Sequence, residues 1–223
     1  MADKLKRNLA MVLMGLLLGI LLPWILVQSE NPRETAPGLP ALWEGMEVQA
    51  LSEPLPQCYR VEDAEENIIA LTPQELLVRL AAEEWSAWAE ENKPYDENTA
   101  VQALTLRMVL LHSRALGLMG DRTDGWTAEQ LTGEAWLRSE EMAVCSEETA
   151  AALPDEAYAL LYSVAETAAP YFLSIDGALI RDAEKLSLSK IYERMCAGDT
   201  AAEIMKETFG EKCLLEQAAD ILF

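Results

Sequence analysis

The stretch from Leu71 to Gly117, LTPQELLVRLAAEEWSAWAEENKPYDENTAVQALTLRMVLLHSRALG, carries two successive helix patterns, and the rest of the chain is arranged around them. The first helix has a legible start. Thr72 is placed to cap, Pro73 takes the first helical position, and Glu75 falls where a capping box needs it. Leu71 and Leu76 supply the hydrophobic staple across that start. The second helix begins near Glu97 and is apolar almost all round from Ala100 to Leu111, interrupted only by Gln102, Thr105 and Arg107. A helix of that kind is buried on every side.

A cation on a buried helix must find a carboxylate or backbone carbonyls, because an unpaired charge inside a protein costs several kcal/mol. The nearest acids in sequence are Glu83 and Glu84, which close the apolar face Leu76, Leu77, Leu80 and Ala81 of the first helix. Adjacent residues stand about 100° apart round a helix, so only one of the two glutamates can share the face that meets Arg107. Trp85 and Trp88 follow directly. A carboxyl desolvated by tryptophans favours its protonated form and suits a general acid. The plainer reading of the same residues is a solvated glutamate and a structural ion pair for Arg107. A tight pair weakens whichever glutamate it holds as an acid, so distance decides between the two roles.

The run E-L-L-V-R-L-A-A-E-E-W-S, a short spacer, and E-N-T-A-V-Q-A-L-T-L-R resembles the core signature of the stage II sporulation protein D family, the SpoIID/LytB domain. That family typically reads E-Y-x-x-G-V-V-A-x-E-M-P, a spacer, and E-A-L-K-A-Q-A-x-A-x-R-T-Y. Residue by residue, Glu75 falls on the first acidic position, Glu84 on the Glu of the A-x-E-M step, Glu97 on the Glu before the second helix, and Gln102 and Arg107 on the Q-A-x-x-x-R step. Arg79 departs from the family's Gly, Trp85 and Ser86 from its Met-Pro, and Met108 and Val109 from its Thr-Tyr. The resemblance implies a lytic transglycosylase acting on peptidoglycan glycan strands, with Glu84 as the catalytic acid and Gln102, Arg107 and Glu97 positioning substrate. One carboxyl suffices for that chemistry: the sugar's own hydroxyl replaces water, and the same group gives and then takes a proton.

A second segment, VAETAAPYFLSIDGALI from Val164 to Ile180, is similar to the family's A-V-x-E-T-x-G-x-x-L-x-Y-D-G-x-x-I. Glu166, Thr167, Leu173, Asp176, Gly177 and Ile180 fall in register, with Asp176-Gly177 as a hairpin turn. After Ile180 the family expects a small-residue S-x-S-G-G-x-T region and a Gly-rich G-H-G-V-G-M-S-Q segment. Neither is present. The patterns there are helical instead, and Thr200 to Gly210 is similar to the family's closing helix. A chain lacking the Gly-rich, glycan-side segment reads as a shortened relative, and two expectations follow: a transglycosylase, or an inactive binding or scaffolding domain of a wall-remodelling complex.

Outward from this centre, Met1 to Asn8 is a basic tail with Lys4, Lys6 and Arg7, and Leu9 to Val27 is uncharged and dominated by Leu, Met, Ile and Val. At about 1.5 Å per residue this run is close to the length that spans a bilayer core. The basic flank stays in the cytoplasm and the rest lies outside. A cleaved signal peptide is the competing reading, against a long apolar run and the lack of a clear A-x-A site. Residues 28–42, with Pro32, Pro37 and Pro40, read as a linker, and 43–223 have the length of one ordinary domain.

Short strands are expected in GMEVQAL, CYRV and NIIAL between Gly45 and Leu71, and a further helix over Thr127 to Glu141. The fold class is therefore α+β: a mainly helical extracytoplasmic domain with short strands and hairpins, behind one N-terminal transmembrane helix. The single histidine, His112, lies on an apolar helix and reads as a core residue rather than a triad base. Cys58, Cys145, Cys196 and Cys213 are too scattered for zinc geometry; outside the membrane they are either bridged or free. No pattern asks for a cofactor. A net charge of −21 argues against nucleic acid and against anionic wall polymers. The partners expected are glycan strands, the membrane and proteins of wall remodelling.

Overall fold

Residues 42–51, 58–119 and 137–218 are described by a computed structural model. Helix α1, Pro73–Glu91, starts as the sequence specifies. Thr72 Oγ1 accepts the Glu75 N–H at 3.2 Å, and Glu75 Oε2 accepts the Thr72 N–H at 2.8 Å. Asn92 ends it by donating from Nδ2 to the Trp88 carbonyl at 2.8 Å. Helix α2, Glu97–Met119, is opened by Asp96, whose Oδ1 accepts the Thr99 N–H at 2.8 Å.

Helix α2 is the axis of the domain. It packs against α1, the helix Asp155–Ala168 (numbered α4, after the short α3 at Glu147–Ala151), the helix Leu188–Cys196 (α5) and the strands beside it. From Ala103 to Leu106 and from Met108 to Ser113 every residue is buried. Hydroxyls in such a helix need partners, and Ser113 Oγ has two: it donates to the Val109 carbonyl at 2.6 Å and accepts the Leu173 N–H at 2.7 Å, tying the helix to the sheet. Gly117 marks the closest approach to that sheet, since a Cβ there would stand 3.2 Å from Arg181 Cγ and 3.4 Å from Leu179 Cβ.

The main sheet runs in the order Val48–Leu51 (β1), Cys213–Ala218 (β6), Tyr171–Ile175 (β4), Ala178–Leu179 (β5). Strands β4 and β5 form the expected hairpin, with Asp176 at φ 52° and Gly177 at φ 79°, the left-handed pair that a two-residue turn of this kind takes. Strand β1 lies at the other edge, parallel to β6, which runs antiparallel to β4. Tyr59–Glu62 (β2) and Ile68–Leu71 (β3) make a separate antiparallel pair, again as expected. The domain is α+β, with six short strands described and helices covering them.

Two expectations need correction. Helical sequence after Ile180 holds for α5 and for Ala201–Phe209 (α6), but CLLEQA is strand β6. Leu, Glu, Gln and Ala favour helix intrinsically; the open ladder between β1 and β4 overrides that preference, and Gly210 at φ 99° ends α6 before it. The helix expected over 127–141 is not found in its described part. Residues 120–136 lie outside the described residues, and Leu137 forms a parallel bridge with Val61. The Leu137 N–H donates to the Arg60 carbonyl at 3.0 Å, and its carbonyl accepts the Glu62 N–H at 2.9 Å, so pairing with β2 outweighs local propensity. The anchor expected at 9–27 also lies outside the described residues, among which no helix is long and apolar enough to cross a membrane. The four cysteines are free, Cys145 and Cys213 buried and Cys58 and Cys196 exposed.

Candidate functional site

Of the four residues singled out by the sequence, Glu84 and Arg107 meet. Arg107 Nε donates to Glu84 Oε2 at 2.7 Å. Glu83, its neighbour on α1, faces solvent. Arg107 reaches further, donating from Nη1 to the Ala183 carbonyl at 2.7 Å and to the Leu186 carbonyl at 2.9 Å. Those carbonyls belong to the 3-10 turn Ala183–Lys185 and the residue that ends it. Glu84 Oε1 accepts the N–H of Leu188, the first residue of α5, at 2.8 Å.

These five groups form a clip across α1, α2, the 3-10 turn and α5. Its logic is that of helix ends. The first N–H groups of α5 have no partner within the helix; Ser187 Oγ accepts one from Lys190 at 3.4 Å, and Glu84 accepts the Leu188 one. A carboxylate at a helix N-terminus is also favoured by the aligned peptide dipoles. The Arg107 guanidinium satisfies the turn's carbonyls with the same planar fork that grips Glu84. The Arg107 side chain is 11% exposed and that of Glu84 28%.

Chemically, this geometry makes Glu84 an acceptor at both oxygens. A general acid needs an O–H aimed at substrate, and each Glu84 oxygen already takes an N–H. An O–H on Glu84 would share its oxygen with the N–H of Arg107 or of Leu188 and compete with that bond. Trp85 and Trp88 pack with Tyr95 and Tyr192 into an aromatic cluster, with centroids 4.9 Å apart for Trp88–Tyr192 and 5.4 Å for Trp85–Trp88.

Gln102 and Glu97 stand apart from this pair. Gln102 is half-buried on α2, about 140° round the helix from Arg107. Glu97 is exposed at the start of α2, about 15 Å along the axis from Arg107. It lines a cleft of about 400 Å³ with Trp85, Tyr95 and Pro154. A larger cleft of about 820 Å³ lies between β3, α1, α3 and the start of α4, with Glu75 and Arg79 in its wall. Glu84 lines neither.

His112 is fully buried at the heart of α2. Its Nδ1 is 3.1 Å from the Tyr171 carbonyl and its Nε2 3.3 Å from the Tyr59 hydroxyl. The carbonyl can only accept, so Nδ1 carries the proton and Nε2 accepts from Tyr59. Burial lowers the His112 pKa to about 4, against a smaller raising effect from the Tyr171 carbonyl, and burial pushes the Tyr59 hydroxyl well up. This is a satisfied core histidine joining α2 to both sheets.

The residues that the sequence did not announce are Ala183, Leu186 and Leu188, which contribute backbone groups and no side-chain chemistry. The one available signal was the Ser187-Leu188 start of α5, where a capping serine declares a helix N-terminus in need of acceptors. The chain matches no protein-family model, no curated protein and no solved structure.

Proposed function

We propose that this chain is a membrane-anchored, extracytoplasmic domain of the stage II sporulation protein D type, which serves peptidoglycan remodelling by binding or scaffolding rather than by cutting glycan. The observation that carries the binding reading is the clip itself: Glu84 spends both oxygens on Arg107 and on the start of α5. The missing Gly-rich segment after Ile180 supports the same reading. The anchor rests on the basic tail and the apolar run Leu9 to Val27, and the acidic balance of the chain disfavours nucleic acid.

The test uses the full chain in nonionic detergent micelles with purified peptidoglycan, reading both sedimentation with the glycan and the release of anhydro-sugar ends. Sedimentation without such ends is the expected result. The transglycosylase reading is the second one, favoured by the Glu-Gln-Arg step and by Glu84 keeping 28% of its side chain exposed. It requires anhydro ends from the wild-type chain that persist in Glu83→Gln and vanish in Glu84→Gln. Because Gln at 84 turns an amide N–H₂ toward Arg107 or Leu188, that loss counts only if the variant is shown to be folded at the assay temperature.

A further inference from the structure

Among the described residues, strand β3 is an edge whose outer side no other element covers. Its register with β2 sets Tyr59 opposite Leu71, Arg60 opposite Ala70 and Val61 opposite Ile69. Arg60 and Glu62 turn a carbonyl and an N–H away from β3 to bond Leu137. The ladder with β3 therefore uses Tyr59 with Leu71 and Val61 with Ile69. By the alternation of an antiparallel pair, Ile68 and Ala70 present their N–H and C=O groups to the opposite edge. Among the described residues no strand or backbone group pairs there. Natural edges are usually blunted by charge, proline or a covering element. Here the residues on it are Ile68, 48% exposed, and the exposed Ala70.

The cleft of about 820 Å³ runs beside this edge, with Ile69, Ala70 and Leu71 forming one wall. The facing wall and rim carry Glu75, Glu147 and Asp155 against one lining cation among the described residues, Arg79. Asp63 and Glu75 are committed locally, Asp63 accepting from the N–H groups of Glu65 and Asn67 and Glu75 from Thr72, so Glu147 and Asp155 are the acids left to a guest. Arg79 reaches Glu147 through Nη2 at 3.6 Å, while Nη1 is buried with no hydrogen-bond partner among the described residues. At the far end Tyr158, 39% exposed, stacks on Tyr162 at 6.3 Å and offers an aromatic ledge to a cation or its aliphatic stem.

An open backbone edge, an acidic wall and an aromatic ledge share one guest chemistry. We propose that this cleft takes an extended, lysine- or arginine-bearing segment of a partner protein, which adds as a strand to the Ile68 and Ala70 edge of β3. This deepens the binding reading by naming the class of partner. A sugar has no use for a strand edge, and an acidic peptide meets repulsion from the wall.

The experiment measures fluorescence anisotropy of a labelled Lys-Val-Lys-Val-Lys-Val-Lys peptide with the full chain in nonionic micelles. Saturable binding that weakens with added salt is expected. Ala70→Pro removes the outward N–H without touching the ladder to β2 and should weaken binding about tenfold, the worth of one or two hydrogen bonds. The surface pair Glu147→Lys with Asp155→Lys should weaken it at least as much. If the proline variant fails to fold, a peptide N-methylated at alternate residues, which cannot form the ladder, replaces it as the decisive probe. Equal binding by the N-methylated peptide, equal binding by a Glu-Val counterpart, or unchanged affinity in the charge-reversed variant overturns the proposal. Peptide binding by a chain that does not sediment with glycan supports this site while sinking the glycan reading, so the two fail separately.

Discussion

Arg107→Met should cost about 3 kcal/mol of folding stability, most of it from groups left behind rather than from the pair itself. Methionine fills a similar volume but donates no hydrogen bond. Glu84 then keeps only the Leu188 N–H, and the Ala183 and Leu186 carbonyls each lose a donor held at 2.7 Å and 2.9 Å. The loss is read by urea unfolding of the full chain in nonionic micelles, following tryptophan fluorescence. Glu84→Leu strands the guanidinium and should cost nearly as much. The double variant should cost clearly less than the sum, with a coupling of about 2 kcal/mol, because each single change already breaks the shared bond. Hydrogen exchange supplies a local readout: amides from Leu188 to Ile191 should lose protection ahead of those in α1. An Arg107→Met variant within about 0.5 kcal/mol of wild type would mean that water replaces the clip at no cost, and the structural role of Glu84 would fall with it.

That result bears directly on function. Glu84 as the acceptor that starts α5 and Glu84 as the acid and base of a transglycosylase compete for the same carboxyl oxygens. If the coupling is large, activity lost in Glu84→Gln is ambiguous by itself, because the same change loosens α5. The pairing of anhydro-end release with a stability measurement separates the two meanings.

The parts of this domain visible in the sequence are those written in local chemistry. Thr72, Pro73 and Glu75 fix the start of α1 within one turn, and the apolar girth of α2 announces burial whatever surrounds it. Arg107 was legible as a buried cation in need of an acid or carbonyls, and the 100° between Glu83 and Glu84 meant that only one of them could face it. Its remaining partners were not legible, since Ala183 and Leu186 give carbonyls from 76 and 79 residues away and every residue has a carbonyl. Strand β6 shows the same limit. Its residues prefer helix, and only the gap between β1 and β4 makes them a strand. The open edge of β3 depends on where Leu137 pairs, a long-range fact that no periodicity in Ile68–Leu71 encodes.

Acidification should soften the sheet side of α2 through His112, with a sign that follows from its burial. In the folded chain the imidazole stays neutral down to about pH 4, whereas in the unfolded chain it protonates near its ordinary value of about 6.5. Between these values the unfolded state binds more protons, so stability falls as pH falls. The loss begins as pH drops through about 6.5 and is complete near pH 4, reaching about 3 kcal/mol from this one group. Burial is the cause of the penalty: charging the ring places a cation in the core, and the Tyr59 hydroxyl at 3.3 Å must turn from donor to acceptor to meet it. Carboxylates titrate in the lower part of this window too, so the wild-type curve alone does not isolate the histidine. His112→Gln does, because the amide can still donate toward Tyr171 and accept from Tyr59 but carries no proton equilibrium. The variant should be the less stable protein at pH 7, from imperfect packing, and should lose about 3 kcal/mol less than wild type on going to pH 4. Parallel stability curves for the two proteins would show that His112 is not held neutral. Exchange at Phe172 and Leu173 should rise before exchange at Leu188, since the histidine holds β4 and β2 to the helix while the Arg107 clip holds α5.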